Sequence, residues 1–363
     1  MVINGEGGGD IYSLLSVVSE VQIKCAAGGA QAKITYLGQC AEYRLILEAN
    51  AVKVHGIASG GFFGRLFGFL QSLFWLYLFM PDVIFSNGGG TASVLASAGR
   101  FYLIPFVFHE RNARPEVRDQ RAAKHAKAIA LSYADTAKYF KSESYFTGEP
   151  VRSYIIPKPG ETDRAFAKRM LNFDASKPLI FINGGSRGSP SLNRFIAENL
   201  PYILQISQVL HQTGREHYED VAARVAETAK GAPEELLNGY RAVDYFEKEI
   251  KNAYMAADLV ISRSGPSTLA ELAAFGRPAM LVPAPESVSP TERYNASEHA
   301  SAGAAIVIEE ENLLPNMFLS NLQELMDSKE KLAAMSDAAK KLHKPNAASD
   351  LAEIVLKFRH GQS

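Results

Sequence analysis

The residues best placed for chemistry lie between Ala257 and Pro285, "ADLVISRSGPSTLAELAAFGRPAMLVPAP". Leu259, Val260 and Ile261 form a short apolar run of the kind that makes a buried parallel strand. Ser264, Gly265, Pro266, Ser267 and Thr268 break it and open a helix, with Pro266 at a position where its missing N–H costs nothing. Leu269, Leu272 and Ala273 recur at helical spacing, Gly276 ends the helix, and Pro278 prevents its continuation. Met280, Leu281 and Val282 then make a second buried strand. A helix that opens this way presents free backbone N–H groups and the positive end of its dipole at the carboxyl edge of a parallel sheet. Phosphate is the usual guest there. Glu271, about one turn further in, has the chemistry to accept hydrogen bonds from a ribose diol. The plain alternative is an ordinary βαβ unit with a good N-terminus.

Three glycine turns follow other expected strands: "GEGGGD" at Gly5 to Asp10, "NGGGTAS" at Asn87 to Ser93, and "GGSRG" from Gly184. Each alone is a weak signal, and their value is their joint placement. His109 and Glu110 sit at the end of a strand as a possible catalytic pair, but local hydrogen bonding is the favoured reading of that dipeptide. His55, His125, His211 and His217 lack metal-ligand spacing. No Asp-x-Asp metal motif is evident, so no metal cofactor is expected.

The elements that must position these residues alternate in type. Short strands are expected at Val2-Ile3, "AKITYL", "AVKVHGI", "PDVIFS", "IPFVFH", "AKAIALS" and "SYFTGEP". Helices are expected over Ile11 to Val21 and Tyr43 to Asn50. From Gly148 to Glu161 the composition shifts to Pro, Gly and charge, which marks a domain junction. The pattern restarts with "KPLIFINGG", "QVLHQTG", "YRAVDYF" and "AAIVIEE", and several helices close the chain. The fold class is therefore α/β: two doubly wound Rossmann-like domains facing a cleft, over residues 1–150 and 151–363, with the last helix able to pack back on the first domain.

Length and composition agree with this. The chain has 363 residues, 47% hydrophobic and 21% charged, with a net charge of -1. That is two domains' worth of chain, and the balance gives no basic excess to argue for nucleic acid. The two cysteines, Cys25 and Cys40, could pair, but a chain of this size does not need a disulfide and reduced thiols are the simpler reading; the N-terminus lacks the pattern of a signal peptide. Gly61 to Pro81, "GFFGRLFGFLQSLFWLYLFMP", is apolar and aromatic but interrupted by Arg65 and Gln71, and weakened as a helix by Gly64 and Gly68. It falls short of a clean span of about 20 apolar residues, so a transmembrane helix is the least favoured reading; a buried domain helix is the first, and a partly exposed apolar patch that touches a bilayer is the second.

Taken together, "GGGDIYSLL", "HERNARP", "TGEPVR", "FINGGSRG", "VLHQTG", "NAYMAADLVISRSGPSTLAEL", "GRPAMLVPAPES" and "RYNASEHASAGAA" give the chain a resemblance to the MurG family from near residue 5 to near residue 350. These are the glycosyltransferases of peptidoglycan synthesis that turn lipid I into lipid II. The resemblance implies a GT-B enzyme that transfers GlcNAc from UDP-GlcNAc to undecaprenyl-diphospho-muramoyl-pentapeptide, with inversion at the anomeric carbon. UDP-GlcNAc is then a substrate, no cofactor is needed, and lipid I at the membrane surface is the partner. Other cell-wall synthesis proteins are further partners it implies. The place implied is the cytoplasmic face of the plasma membrane, peripherally, with the segment from Phe62 to Met80 as the membrane-associating patch.

By the same resemblance the donor is bound through Arg152, Ser186, the backbone of Phe246 and Glu247, the run Ser264, Gly265, Pro266, Ser267, Thr268 and Leu269 at the α-phosphate, and Glu271 at the ribose. Thr291 and Glu292 match positions that read the sugar hydroxyls. Gly7, Gly8, Gly9, Gly88, Gly89, Gly90 and Thr91 belong to the acceptor side, and Asn112 faces the reaction centre. Asp10 takes the place of a histidine and retains the capacity to accept a proton.

Several positions depart from the pattern. Glu6 stands where the family has glycine and puts negative charge where a diphosphate should approach. Gly7 replaces threonine, Arg111 replaces glutamine, Glu149 replaces asparagine, Arg187 replaces glutamine, and Glu116 replaces a turn glycine. Two other functions follow from these departures and from the donor half. One is a catalytically impaired sugar-nucleotide-binding or scaffold protein; the other is a different GT-B enzyme or UDP-sugar epimerase.

Overall fold

The computed structural model describes residues 1–39, 41–158, 160–161, 163–185 and 187–358. It divides into two compact units, one of Met1–Arg152 with the chain from Lys344 on, the other of Ser153–His343.

The first unit holds a seven-stranded sheet: β1 (Val2–Asn4), β2 (Ile34–Gly38), β3 (Val52–Gly56), β4 (Ile84–Ser86), β5 (Phe106–Glu110), β6 (Ala128–Leu131) and β7 (Ser144–Phe146), in the order β3-β2-β1-β4-β5-β6-β7. Every pairing is parallel. The second unit holds β8 (Leu179–Asn183), β9 (Gln208–Gln212), β10 (Tyr240–Val243), β11 (Leu259–Ser262), β12 (Ala279–Leu281) and β13 (Ala305–Val307), ordered β10-β9-β8-β11-β12-β13 and again all parallel. Both sheets are doubly wound, with the strand order reversing beside β1 and β8. Ligands of such sheets bind outside the carboxyl ends at that reversal.

β8, β11 and β12 are buried along their whole length, which accounts for their continuous apolar sequences. The helix Pro266–Phe275 starts with proline at its first turn and ends on Gly276 at φ +57°, a left-handed cap that glycine adopts without steric cost. The closing helix Ala347–Leu356 packs Leu351, Ala352, Ile354 and Val355 into the core of the first unit with Ile11, Leu14 and Val18.

Two sequence expectations are corrected. The first helix runs over Gly8–Ala27, starting earlier than Ile11. Asp10, in its first turn, reaches back to accept from the Glu6 N–H at 2.8 Å, so the chain commits to helix while still in glycines. The apolar segment forms the helix Gly61–Phe79, but it is not a buried domain helix: Gly68, Ser72 and Leu76 are its buried residues. Phe63, Phe67, Leu70, Phe74 and Tyr77 lie on the opposite side at helical spacing and are 54–82% exposed. By length and composition this helix is sufficient to cross a membrane.

Its glycines have a packing function. A Cβ at Gly68 would stand 2.1 Å from the Ala58 carbonyl oxygen, and one at Gly64 would stand 2.7 Å from that of Ser59. Gly68→Ala gains about 1 kcal/mol of helix propensity, but the obstacle is backbone. We expect net destabilisation of about 1–3 kcal/mol from overpacking, visible as a lower urea midpoint with the m-value unchanged. A raised midpoint would show that the 57–60 loop yields at no cost.

Candidate active site

At the carboxyl edge of the first sheet, Gly7 adopts φ +86° and turns the chain from β1 into its helix, placing Gly8, Gly9 and Asp10 in the first turn. Arg111 follows β5 directly. Its Nε donates to both oxygens of Glu149 at 3.0 Å, and its Nη2 donates to Glu149 Oε1 at 2.6 Å. On its other side Nη1 pairs with Asp10 Oδ1, and Nη2 is 3.4 Å from the Gly9 carbonyl oxygen. Glu149 Oε2 accepts from Ser132 Oγ at 3.1 Å, which lies 3.0 Å from His109 Nε2. His109 Nδ1 lies 3.3 Å from Asn87 Oδ1, and Asn87 Nδ2 donates to the Asp10 carbonyl at 3.4 Å. The contacts close a ring that begins and ends at Asp10. It draws on the loops after β1, β4, β5, β6 and β7.

Burial lowers the pKa of His109, whose two ring nitrogens are satisfied within the ring, as the local reading of that residue expects. Glu110 is different. Its Oε1 accepts from the Asn112 N–H at 2.9 Å and from Asn112 Nδ2 at 3.3 Å, while its buried Oε2 has no hydrogen-bond partner. Burial, then the nearby Asp119 carboxylate, pushes Glu110 up to about 8. Burial likewise raises Asp119 to about 6. Asn112 is thus held half-buried by a neighbouring acid.

The second glycine loop is more occupied than its sequence suggests. Gly88 and Gly89 take φ +91° and +95°, a backbone region that glycine enters without steric cost. The Gly88 N–H donates to Ser86 Oγ at 3.1 Å, Gly89 to Asp119 Oδ1 at 3.4 Å, and Gly90 to Glu6 Oε2 at 2.7 Å. The amides expected to await an acceptor anion already hold two of the protein's own carboxylates. Arg118 stands 3.6 Å from Glu6 on the outer side. Thr91 Oγ1 accepts from Asn4 Nδ2 at 2.8 Å, a buried tie between β1 and this loop.

In the second unit, Phe246, Gln212, Asn183, Tyr254 and Glu271 form one hydrogen-bonded line. The Phe246 N–H donates to Gln212 Oε1 at 2.9 Å, and Gln212 Nε2 donates to Asn183 Oδ1 at 3.0 Å. Asn183 Nδ2 is 3.0 Å from the Tyr254 hydroxyl, which donates to Glu271 Oε2 at 2.9 Å. Asn183 Oδ1 also accepts from the Gly185 N–H at 2.9 Å. Glu271 is therefore a buried, oriented carboxylate one turn into the helix. Gly265 caps that helix beside Pro266, Ser267 and Thr268, all half-buried, with Leu269 buried behind them. A Cβ on Gly265 would meet nothing within 4 Å.

Glu292 opens the helix Glu292–Ser301 and turns inward. Its Oε2 accepts from the N–H groups of Ala284 at 2.9 Å and Ser264 at 3.3 Å, and Ser264 Oγ donates to the Glu292 carbonyl at 2.9 Å. Thr291 is buried beside it. Glu247 is exposed, 3.6 Å from Arg215. The turns "GGSRG" and "HQTG" meet: a Cβ on Gly214 would stand 2.6 Å from Gly188 Cα. Arg152 falls in the first unit, buried, its guanidinium 4.6 Å from the Tyr12 ring centre. Ser186 lies outside the described residues, as does Cys40.

Sequence reasoning missed Asn87, Ser132, Asn183, Gln212 and Tyr254 because each looks like an ordinary strand-end or helix residue. The available signal was the opposite sign of the departures at Asp10, Arg111 and Glu149.

Residues 179–351 match the glycosyltransferase family 28 C-terminal domain. The chain is 31% identical over 294 residues to the UDP-N-acetylglucosamine--N-acetylmuramyl-(pentapeptide) pyrophosphoryl-undecaprenol N-acetylglucosamine transferase of Halothermothrix orenii, covering 79% of this chain and 77% of that protein. It is 29% identical to the Exiguobacterium sibiricum enzyme of the same name, over 99% of this chain and 98% of the other. Among solved structures, Acinetobacter baumannii MurG superposes with a TM-score of 0.74 at 23% identity, covering 98% of this chain and 99% of that one. The UDP-GlcNAc 2-epimerase of Neisseria meningitidis bound to UDP-GlcNAc gives 0.71 at 12% identity, covering 98% and 99%. These two structures share the two-domain Rossmann-like fold, and the closer sequence similarity goes further: the chain belongs to the MurG family of N-acetylglucosamine transferases.

Proposed function

We propose that this protein transfers GlcNAc from UDP-GlcNAc to the lipid-linked diphospho-muramoyl-pentapeptide acceptor, giving lipid II. Family membership over nearly the whole chain supports the reaction. The observation that carries the donor assignment is the helix start at Gly265 with Glu271 buried one turn deeper and oriented by Tyr254. A helix N-terminus stabilises the leaving diphosphate, and a fixed carboxylate accepts from the ribose diol. The second unit is then the donor side, with Phe246, Ser264 and Glu292 framing UDP-GlcNAc. Thr291 stands beside them, and Ser186 belongs with that set by the family pattern. The first unit is the acceptor side, with Gly7 to Gly9 and Gly88 to Thr91 forming its loops, Asp10 as the base and Asn112 at the reaction centre. UDP-GlcNAc is a substrate in this scheme, and no metal takes part. The exposed aromatic face of the helix Gly61–Phe79 supports a peripheral association with the bilayer that would hold the acceptor.

Glu6 on the Gly90 N–H favours a second reading, in which the donor side binds UDP but the acceptor loops are closed by the protein's own carboxylate. One experiment separates the two: UDP release from UDP-GlcNAc with a lipid I analogue, beside a calorimetric titration of UDP. Turnover selects the enzyme, and UDP binding without transfer selects the closed form. Within the same titration, Glu271→Ala is expected to weaken UDP about 10–100-fold, the loss of a charged hydrogen-bond acceptor. Glu271→Gln, which keeps an acceptor for Tyr254, should recover part of it. Unchanged UDP affinity in both variants would remove Glu271 from the ribose site.

A further inference from the structure

We propose that Arg111 is a positioning residue that holds the Asp10 carboxylate in its reactive orientation, and that Glu149 is the anchor that fixes Arg111. The inference rests on the reading of Asp10 as the acceptor-side base and goes beyond it.

The geometry is specific. The side chains of Arg111 and Glu149 are 5% and 6% exposed, whereas that of Asp10 is 19% exposed. The cluster therefore buries a guanidinium and one carboxylate and turns the other carboxylate toward solvent. Glu149 takes Nε and Nη2 together, the fork-on-fork arrangement that fixes a guanidinium plane. Nη1 is then aimed at Asp10 Oδ1. The Glu6 N–H holds Oδ2, so both oxygens are constrained from different directions. Glu149 is itself held by Ser132. The anchor, the guanidinium and the reactive carboxylate come from the loops after β7 and β5 and from the first turn after β1, so no local sequence constraint fixes their alignment.

Charge counting supports the arrangement. Two carboxylates share one buried cation, and removing the cation leaves the buried Glu149 and the partly exposed Asp10 without their counter-charge, which is unfavourable. Lysine supplies the charge but not the planar fork, so it can satisfy one partner and not align both.

The test measures transfer to a lipid I analogue by wild-type protein, D10N, R111Q, R111K and E149D, with kcat and KM for UDP-GlcNAc determined separately. Thermal midpoints and UDP affinity serve as folding controls. E149D keeps the charge balance but withdraws the anchor by one methylene, so it tests alignment without an unpaired charge. If Arg111 positions Asp10, R111Q and E149D lose about 100-fold in kcat, the scale of a 1 Å misplacement. KM for UDP-GlcNAc stays unchanged, and R111K falls between wild type and R111Q. A lowered midpoint in E149D with wild-type kcat would show a purely structural cluster and overturn the proposal. So would wild-type kcat in R111Q alongside an inactive D10N. Full activity in D10N would overturn the Asp10 reading and this inference with it. Absence of transfer by the wild-type protein would overturn the functional reading itself.

Discussion

Replacing Asp10 with asparagine abolishes acceptor turnover while leaving UDP binding at its wild-type value. This is the expected result if Asp10 takes the proton of the attacking hydroxyl. Loss of a general base costs about 10²–10⁴-fold in kcat. The asparagine substitution isolates that loss, because its amide oxygen can still accept from Arg111 or from the Glu6 N–H, the two partners of the native carboxylate. What it lacks is a site for the proton. The expected signature is therefore a fall in kcat with little change in KM for UDP-GlcNAc, read from initial rates of UDP release. Retention of kcat within a few-fold would assign the base elsewhere. Glu110 would then be the first candidate, since its Oε2 is buried without a partner and its pKa is pushed up to about 8, close to the working range of a general base.

The strand–turn–helix edge proposed for the donor was legible as local structure because its signals are local. Pro266, Gly276 and Pro278 punctuate a helix within 13 residues, and Glu271 lies inside that same stretch. The edge proposed for the acceptor was not legible in the same way. Asp10 meets Arg111 across 101 positions, Arg111 meets Glu149 across 38, and Glu6 reaches Gly90 across 84. Sequence alone presents these as separate charge changes, three of them acidic. The topology brings them to one sheet edge, where Arg111 is shared between two acids and Glu6 is taken up by backbone amides. Even there the residue types carried a hint, since a buried arginine requires carboxylates, but nothing in the spacing names which ones.

The same limit explains the apolar helix. A core helix and a bilayer-facing helix have similar compositions, and the period of this one is blurred by aromatics on nearly every turn. What separates the two faces is contact. Gly64 and Gly68 let the preceding loop lie against the backbone, leaving the side with Phe63, Phe67 and Phe74 uncovered by the rest of its unit. In a core helix those glycines would be liabilities. Here they define which side is inward.

The second large effect follows from that face. The triple variant Phe63→Ser, Phe67→Ser, Phe74→Ser is expected to lose about 10³-fold or more in partitioning onto phospholipid vesicles, since each buried phenylalanine contributes about 1.5–3 kcal/mol to transfer out of water. Cosedimentation with vesicles gives the measurement. The three side chains are 82%, 57% and 59% exposed, so their removal takes little from the folded core, and the thermal midpoint should hold within a few degrees. A large fall in the midpoint would instead make the aromatics part of the fold. Phe101 and Leu103, 70% and 86% exposed, continue the apolar surface from the end of the helix Ala92–Phe101, and Tyr102 beside them lies 6.5 Å from Tyr77. Such a surface engages a bilayer by lying on it, with its apolar side chains at the acyl boundary. Transfer should then divide by acceptor: the triple variant keeps its rate with a short-chain, water-soluble lipid I analogue and loses it with the acceptor embedded in vesicles. Equal loss with both acceptors would place the aromatics in the reaction itself, and equal retention would leave the bilayer without a role in substrate capture.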